Sequence, residues 1–130
     1  MAEFVTLDRC AAYVAARTTL ATVQRISSRW PESLADRARG AAVDAMQLTA
    51  EAITHGHGTA GRRRRVRDAL TGAIHVAELV DLARAMGLAT VELDGLQRLA
   101  GRTVALLGML LHASTTVFPD RRPDRRPEPG

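Results

Sequence analysis

The residues with the clearest chemical potential form an arginine run in the stretch HGHGTAGRRRRVRDAL, residues 55–70. The run consists of Arg62, Arg63, Arg64, Arg65 and, one residue further on, Arg67. The planar guanidinium group donates paired hydrogen bonds to phosphate oxygens, and a glycine-rich turn lets backbone N–H groups approach an anion. The pattern therefore predicts a surface that contacts phosphate groups.

The position of the run is unusual because a helix is predicted to begin there. Cations at the positive end of a helix dipole are disfavoured by about 0.3–1 kcal/mol each when they are exposed. Such a run is therefore unexpected as a simple helix start, although a solvated turn remains the ordinary alternative. An anionic partner would offset the unfavourable charge.

The other reactive side chains do not combine into a catalytic or metal site. His55 and His57 have no carboxylate or thiol close by, and His75 lies beside Glu78 at a spacing typical of a hydrogen-bonded or exposed pair. Cys10 has no evident activating base, and no phosphate loop, dinucleotide fingerprint or nucleophile elbow occurs. We expect no enzyme activity, cofactor, metal or small-molecule substrate.

Aromatic residues limit how the chain could bind nucleic acid. Only Phe4, Tyr13, Trp30 and Phe118 are present, and none of them interleaves with the arginines. A base-stacking platform for single strands is therefore disfavoured. Binding to RNA or DNA should be dominated by the backbone, tolerant of sequence and sensitive to salt.

Composition indicates one helical domain. The chain has 130 residues, of which 46% are apolar and 3% aromatic, and it carries a net charge of +4. All 18 basic residues are arginine, which a GC-rich genome would explain as well as a preference for phosphate. The single cysteine allows no intrachain disulfide, the first residues do not resemble a signal peptide, and the apolar stretch at 104–111 is too short to span a membrane. These features predict a soluble cytoplasmic protein.

Apolar spacing predicts four helices. The first runs from about Glu3 to Arg29 and ends at Trp30-Pro31, and the second runs from Pro31 to the turn at 55–58. The third runs from Thr59 or Gly61 to Met86 with Gly87 as its cap, and the fourth starts at the capping residue Thr90. The predicted core positions are Leu7, Val14, Leu20, Val23 and Ile26; Leu34, Ala38, Ala41, Ala45, Leu48 and Ala52; Val66, Leu70, Ala73, Ala77 and Val80, widened by Ile74 and Leu79; and Leu96, Leu99, Thr103, Leu107 and Leu110.

Short connections between these helices favour an all-α, up-down-up-down four-helix bundle over residues 1–117. Residues 118–130 end in PDRRPDRRPEPG, where proline blocks regular structure and apolar residues vanish. This segment is predicted to be a disordered tail.

The chain resembles the bacterial four-helix-bundle proteins over roughly residues 5–113, excluding the tail, and the motifs that carry the resemblance lie between Trp30 and Leu111. That group includes proteins encoded in intervening sequences of ribosomal RNA genes and the accessory variability determinant of diversity-generating retroelements. The similarity lies in the Trp30-Pro31 junction, the small-residue helix around Arg39 and Ala41–Val43, Ala50-Glu51 before the glycine turn, the basic residues after Gly61, Ala73 followed by Glu78-Leu79, and the turn Gly87–Thr90.

This resemblance implies a non-enzymatic homo-oligomer, commonly a pentamer, that binds nucleic acid and a partner reverse transcriptase. The matching basic positions are those of the run, with Arg37 and Arg39 as further nucleic-acid-binding candidates on the second helix. Two alternatives remain: a ring-forming or adaptor module whose arginines contact an acidic protein, and a ribosomal RNA intervening-sequence protein.

Overall fold

In the computed structural model the chain forms an antiparallel four-helix bundle, as predicted. The structure describes residues 10–54, 60–88 and 90–121, with the backbone alone at 90 and 114–121, and within those ranges it contains no β-strand. The helices are α1 (Ala11–Ile26), α2 (Glu32–Thr54), α3 (Ala60–Ala85) and α4 (Thr90–Arg121), and a 3-10 turn, Ser27–Arg29, follows α1. Each helix packs against the next in the chain, and α4 packs back against α1. The four helices of the chain therefore form a closed ring.

Two junctions confirm the predicted helix ends. Trp30 is extended, with φ −87° and ψ 160°, because the ring of the following proline excludes the helical conformation. Gly87 has φ +80°, and the N–H groups of Gly87 and Leu88 donate to the carbonyl oxygens of Arg84 and Ala83 at 3.0 and 3.1 Å. This arrangement is a glycine C-cap that satisfies the last carbonyls of α3.

The last helix extends further than predicted. It continues to Arg121, so residues 118–121 are helical although the sequence assigns them to the tail. Pro119 lies within this final stretch and lacks the N–H that would close a helical hydrogen bond, and this missing donor is the reason that a proline predicts a helix end. The predicted start at Glu3, Leu7, the turn at 55–58 and the tail residues 122–130 lie outside the described residues.

The core is lined by smaller residues than predicted. On α1, Ala12, Ala15, Ala16 and Thr19 are buried, whereas the larger Val14 and Leu20 are only half-buried at the edges. On α2 the predicted positions are buried except Leu48, which is half-buried. Small side chains occupy the line of closest approach because they let two helix backbones come together, and larger side chains then fill the margins.

The buried faces of α3 and α4 are rotated slightly around the helix axes from the predicted ones. Leu70, Ala77, Leu99 and Leu110 are half-buried, and Ile74 is 41% exposed. The positions that replace them in the core are Ala69, Val76, Ala83, Leu93 and Ala100. Among the described residues, no helix is long and apolar enough to cross a membrane.

Candidate nucleic-acid interface

The arginine run coincides with the start of α3. Ala60 is the first helical residue after the segment 55–59, and the first turn contains no acidic residue. Successive residues of a helix are rotated by about 100°, so consecutive arginines point in different directions. The run is therefore divided among several environments.

Arg62 points into the bundle. It is only 8% exposed, and it continues the buried line of Val66 and Ala69 at steps of four and three residues. The long aliphatic stem of arginine can pack against such a core end. Arg62 therefore belongs to the fold and is poorly placed to contact a large partner.

Arg65 links two helices. Its Nε donates to Oε1 of Glu51 at 3.3 Å, and its Nη1 donates to the carbonyl oxygen of Gly61 at 3.3 Å. Glu51 lies near the end of α2, so this ion pair connects the end of one helix with the start of the next. Both side chains are partly exposed, at 32% and 41%, so the pair contributes about 1 kcal/mol at most.

Arg64 and Arg67 form the open part of the run. Both side chains are exposed, and neither makes a hydrogen bond or ion pair within the part of the chain that the structure describes. Their spacing of three residues places them on one face of α3, and half-buried Arg63 lies at its edge. We call these two exposed residues the Arg64–Arg67 pair.

The structure does not place Arg37 and Arg39 beside the run. Arg37 lies fourteen residues before Glu51 on α2, a separation of about 21 Å along the helix. Arg39 donates to the carboxylate of Asp36 and, at 3.3 Å, to the hydroxyl of Ser27. These two arginines therefore lie towards the opposite end of the bundle, and Arg39 already has partners.

A shallow groove between α2 and α3 adjoins the Arg64–Arg67 pair. It is lined by Ala41, Asp44, Leu48, Asp68, Thr71, Gly72 and His75. Arg64, Asp68, Thr71 and His75 follow one another at helical steps, so the groove leads from the arginine to two carboxylates. The predicted His75–Glu78 pair is confirmed, with Nδ1 and Oε1 3.3 Å apart at the surface. No sequence pattern predicts this acidic groove, because Asp44 and Asp68 are far apart in the chain.

The remaining chemistry of the described residues is sparse. They contain no group of three or more His, Cys, Asp or Glu side chains arranged to bind a metal. His55 and His57 lie outside the described residues. The chain matches no protein-family model and no curated protein sequence.

Proposed function

We propose that this protein is a non-enzymatic nucleic-acid-binding protein that contacts the phosphate backbone through the start of α3. The observation that carries this proposal is the Arg64–Arg67 pair, two exposed arginines on one helix face with no internal acceptor within the described residues. An arginine that the fold does not use can exchange hydration for a bidentate contact with phosphate. The N–H groups at the start of α3 would add to the attraction for an anion.

The proposed binding mode is backbone contact without base stacking. Tyr13 lies on α1 beneath Arg17, whose guanidinium carbon is 5.6 Å from the ring centre, and Trp30 is 8% exposed at the other end of the bundle. Neither ring is available beside the Arg64–Arg67 pair for stacking on a base. Binding should therefore tolerate sequence and fall with salt.

The more specific role is an accessory to a reverse transcriptase in a diversity-generating retroelement, acting as a homo-oligomer with a pentamer as the expected assembly. This part of the proposal is supported by the sequence resemblance alone. A reverse transcriptase encoded beside the gene should co-purify with the protein, and sedimentation at micromolar concentration should give an oligomer. A monomer that fails to retain such an enzyme would end this role and leave backbone binding to be judged separately.

The decisive experiment measures the affinity for a duplex oligonucleotide at several salt concentrations. The double variant Arg64→Gln/Arg67→Gln should bind more weakly, and the slope of log affinity against log salt should fall by up to about 1.8 for two lost phosphate contacts. Arg17→Gln/Arg29→Gln removes the same charge from exposed positions on α1 and the turn after it, and is the matched control. Equal affinities for the two variants would contradict a specific role for the Arg64–Arg67 pair.

This experiment also addresses the adaptor alternative. If the Arg64–Arg67 variant binds nucleic acid normally but no longer retains its protein partner, the two arginines serve an acidic protein surface. The Arg64→Gln/Arg67→Gln variant keeps Arg62 and Arg65, because both of these arginines contribute to the fold.

A further inference from the structure

The acidic residues of the bundle are distributed unevenly. Residues 10–31, which contain α1, and residues 95–119, which make up most of α4, have no Asp or Glu. The same two stretches contain Arg17, Arg25, Arg29, Arg98 and Arg102. In contrast, α2 and α3 carry seven carboxylates: Glu32, Asp36, Asp44, Glu51, Asp68, Glu78 and Asp81. The stretches 10–31 and 95–119 are therefore basic with no acid of their own, and Asp94, one turn before Arg98 on α4, is paired with Arg84 at 3.0 Å.

Contacts between α1 and α4 establish how these arginines are aligned. The hydroxyl oxygens of Thr19 and Thr103 are 3.1 Å apart, and further along Ala11 shares a groove with Leu110. The two helices are thus antiparallel. For any two residues that lie side by side, one on α1 and one on α4, the two residue numbers therefore add up to nearly the same total. Arg25 therefore lies at the height of Arg98, and Arg102 lies about 6 Å along α4 from Arg98.

Helical spacing also places these arginines on the side of the bundle on which that groove opens. Ala11 lines it on α1, and Arg25 follows two steps of seven residues later, on nearly the same side of the helix. On α4, Leu106, Met109 and Ala113 line the groove, and Arg102 and Arg98 continue that line at steps of four. We call Arg25, Arg98 and Arg102 the α1–α4 arginine face.

The three arginines are open to a partner. All three are exposed, and none of their guanidinium groups makes a hydrogen bond or ion pair with another residue in the described ranges. Elsewhere the fold uses its arginines: Arg84 contacts Asp94 at 3.0 Å and Gln97 at 2.6 Å, and Arg65 contacts Glu51. The α1–α4 arginine face thus lacks the internal acceptors that engage those residues.

We infer that the α1–α4 arginine face is a second binding surface for the phosphate backbone of nucleic acid. The surrounding exposed residues, Thr18, Ala21, Gln97, Gly101 and Ala105, are small or polar. Protein interfaces depend on large apolar or aromatic anchors. The exposed Met109 lies about 10 Å along α4 from Arg102, so no such anchor stands between the three arginines. Guanidinium groups on a smooth polar surface suit a chain of phosphates, which needs charge and hydrogen-bond donors but no pocket.

The second surface lies on the side of the bundle opposite the α2–α3 groove. In a ring of four helices the α1–α4 groove and the α2–α3 groove face away from each other, and Arg64 continues the edge of the latter. The protein would therefore bind segments of nucleic-acid backbone on two opposite sides of the bundle. The inference rests on the proposed function in that both require the protein to bind nucleic acid.

The test compares three variants of the full chain by fluorescence anisotropy with a labelled thymidine 15-mer over a range of salt. The face variant is Arg25→Gln/Arg98→Gln/Arg102→Gln, the run variant is Arg64→Gln/Arg67→Gln, and the charge-matched control is Arg17→Gln/Arg29→Gln/Arg84→Gln. The face variant should lose roughly ten- to hundredfold in affinity at low salt, with a salt slope lower by about 2 for three lost phosphate contacts on a single strand. The control should lose much less.

The outcomes separate the inference from the proposed function. A face variant that binds like the control overturns the inference, and a weakened run variant would then still support the α3 site. If only the face variant weakens, the inference stands and the α3 site falls. Unchanged binding by both variants, or no binding by the unaltered protein, overturns both.

Two further measurements test whether the attraction is electrostatic and whether the partner is a nucleic acid. The charge-preserving variant Arg25→Lys/Arg98→Lys/Arg102→Lys should retain most of the affinity, since the attraction is largely electrostatic, and its failure to bind would overturn the inference. If the face variant keeps its affinity for the 15-mer but loses affinity for polyglutamate, the partner is an acidic protein and the nucleic-acid assignment is wrong.

Discussion

The α2–α3 side of the bundle and the α1–α4 side are built differently. Between α2 and α3, Gly72 lies so close to the opposite helix that a Cβ there would be 3.0 Å from the carbonyl oxygen of Ala41 and 3.2 Å from the N atom of Ala45. The Arg65–Glu51 pair adds an ionic link near the ends of these helices. Between α1 and α4, half-buried leucines and a buried threonine pair form the contact, and the arginines at its edge have no described partner.

This difference shows that a high density of arginine in the sequence does not measure how many arginines can bind. The run on α3 is the most basic segment of the chain, yet Arg62 is buried and Arg65 is bonded to Glu51. The arginines of α1 and α4 are scattered in sequence, but the fold brings three of them to one side of the bundle and leaves them exposed. Availability depends on the position around each helix.

The largest expected effect tests the close approach of α2 and α3. Gly72→Leu forces a side chain against backbone atoms of α2, which cannot move aside without separating the helices, and should lower the free energy of unfolding by about 2–3 kcal/mol. Gly101→Leu is the matched control on α4, because nothing lies within 4 Å of a Cβ there. It should raise the free energy of unfolding by about 0.5–1 kcal/mol through helix propensity. Chemical denaturation followed by circular dichroism measures both.

Similar stabilities for the two glycine variants would mean that α2 and α3 can separate at little cost. The contrast between a tight α2–α3 side and a more open α1–α4 side would then be wrong.

A smaller effect separates two arginines of the same run. Arg62→Asp places a short carboxylate in an 8% exposed position and removes the stem that covers the end of the core, so it should destabilise the fold by about 1–3 kcal/mol. Arg64→Asp is exposed and replaces a cation with an anion near a helix N-terminus, so it should stabilise by about 0.3–1 kcal/mol. Thermal unfolding at low salt should show shifts of opposite sign. Shifts of the same sign would indicate that the two side chains share one environment.

The smallest effect concerns the threonine pair between α1 and α4. Thr19 and Thr103 each donate to a carbonyl oxygen of their own helix at 2.8 Å, so no proton is left for the 3.1 Å contact between the two hydroxyl oxygens. The double variant Thr19→Val/Thr103→Val should therefore change the stability by less than about 1 kcal/mol. Thr49→Val, which removes a buried hydroxyl that donates to Ala45, is the control on the α2–α3 side. A loss above 2 kcal/mol in the double variant alone would show that the hydroxyl contact itself holds α1 and α4 together.

The ends of α1 and α3 were predictable because they depend on local signals, whereas α4 runs past its predicted end to Arg121. Trp30-Pro31 and Gly87 restrict the backbone wherever they occur, and the observed junctions follow them. The residues of each helix that face the core were less predictable. Apolar periodicity could not distinguish Leu20 from Thr19 as the core residue of α1, because the closest helix approach selects for small size as well as for low polarity.

The candidate site was only partly predictable for a related reason. The run located the start of α3, but the rotation that buries Arg62 and exposes Arg64 depends on which face of α3 meets its neighbours. The grouping of Arg25 with Arg98 and Arg102 required the alignment of α1 with α4. Arg25 lies more than seventy positions before the other two in the chain, and no local sequence pattern relates residues that far apart.

The buried tryptophan gives this protein a built-in optical reporter. Trp30 is the only tryptophan of the chain, and it packs among Ile26, Leu34 and their neighbours where α1 passes into α2. Its emission will report the solvation of that junction, whereas the arginines at the start of α3 lie near the opposite end of the bundle. Intrinsic fluorescence can thus follow the integrity of the fold in the same cuvette in which an extrinsic dye on an oligonucleotide follows binding, without labelling the protein.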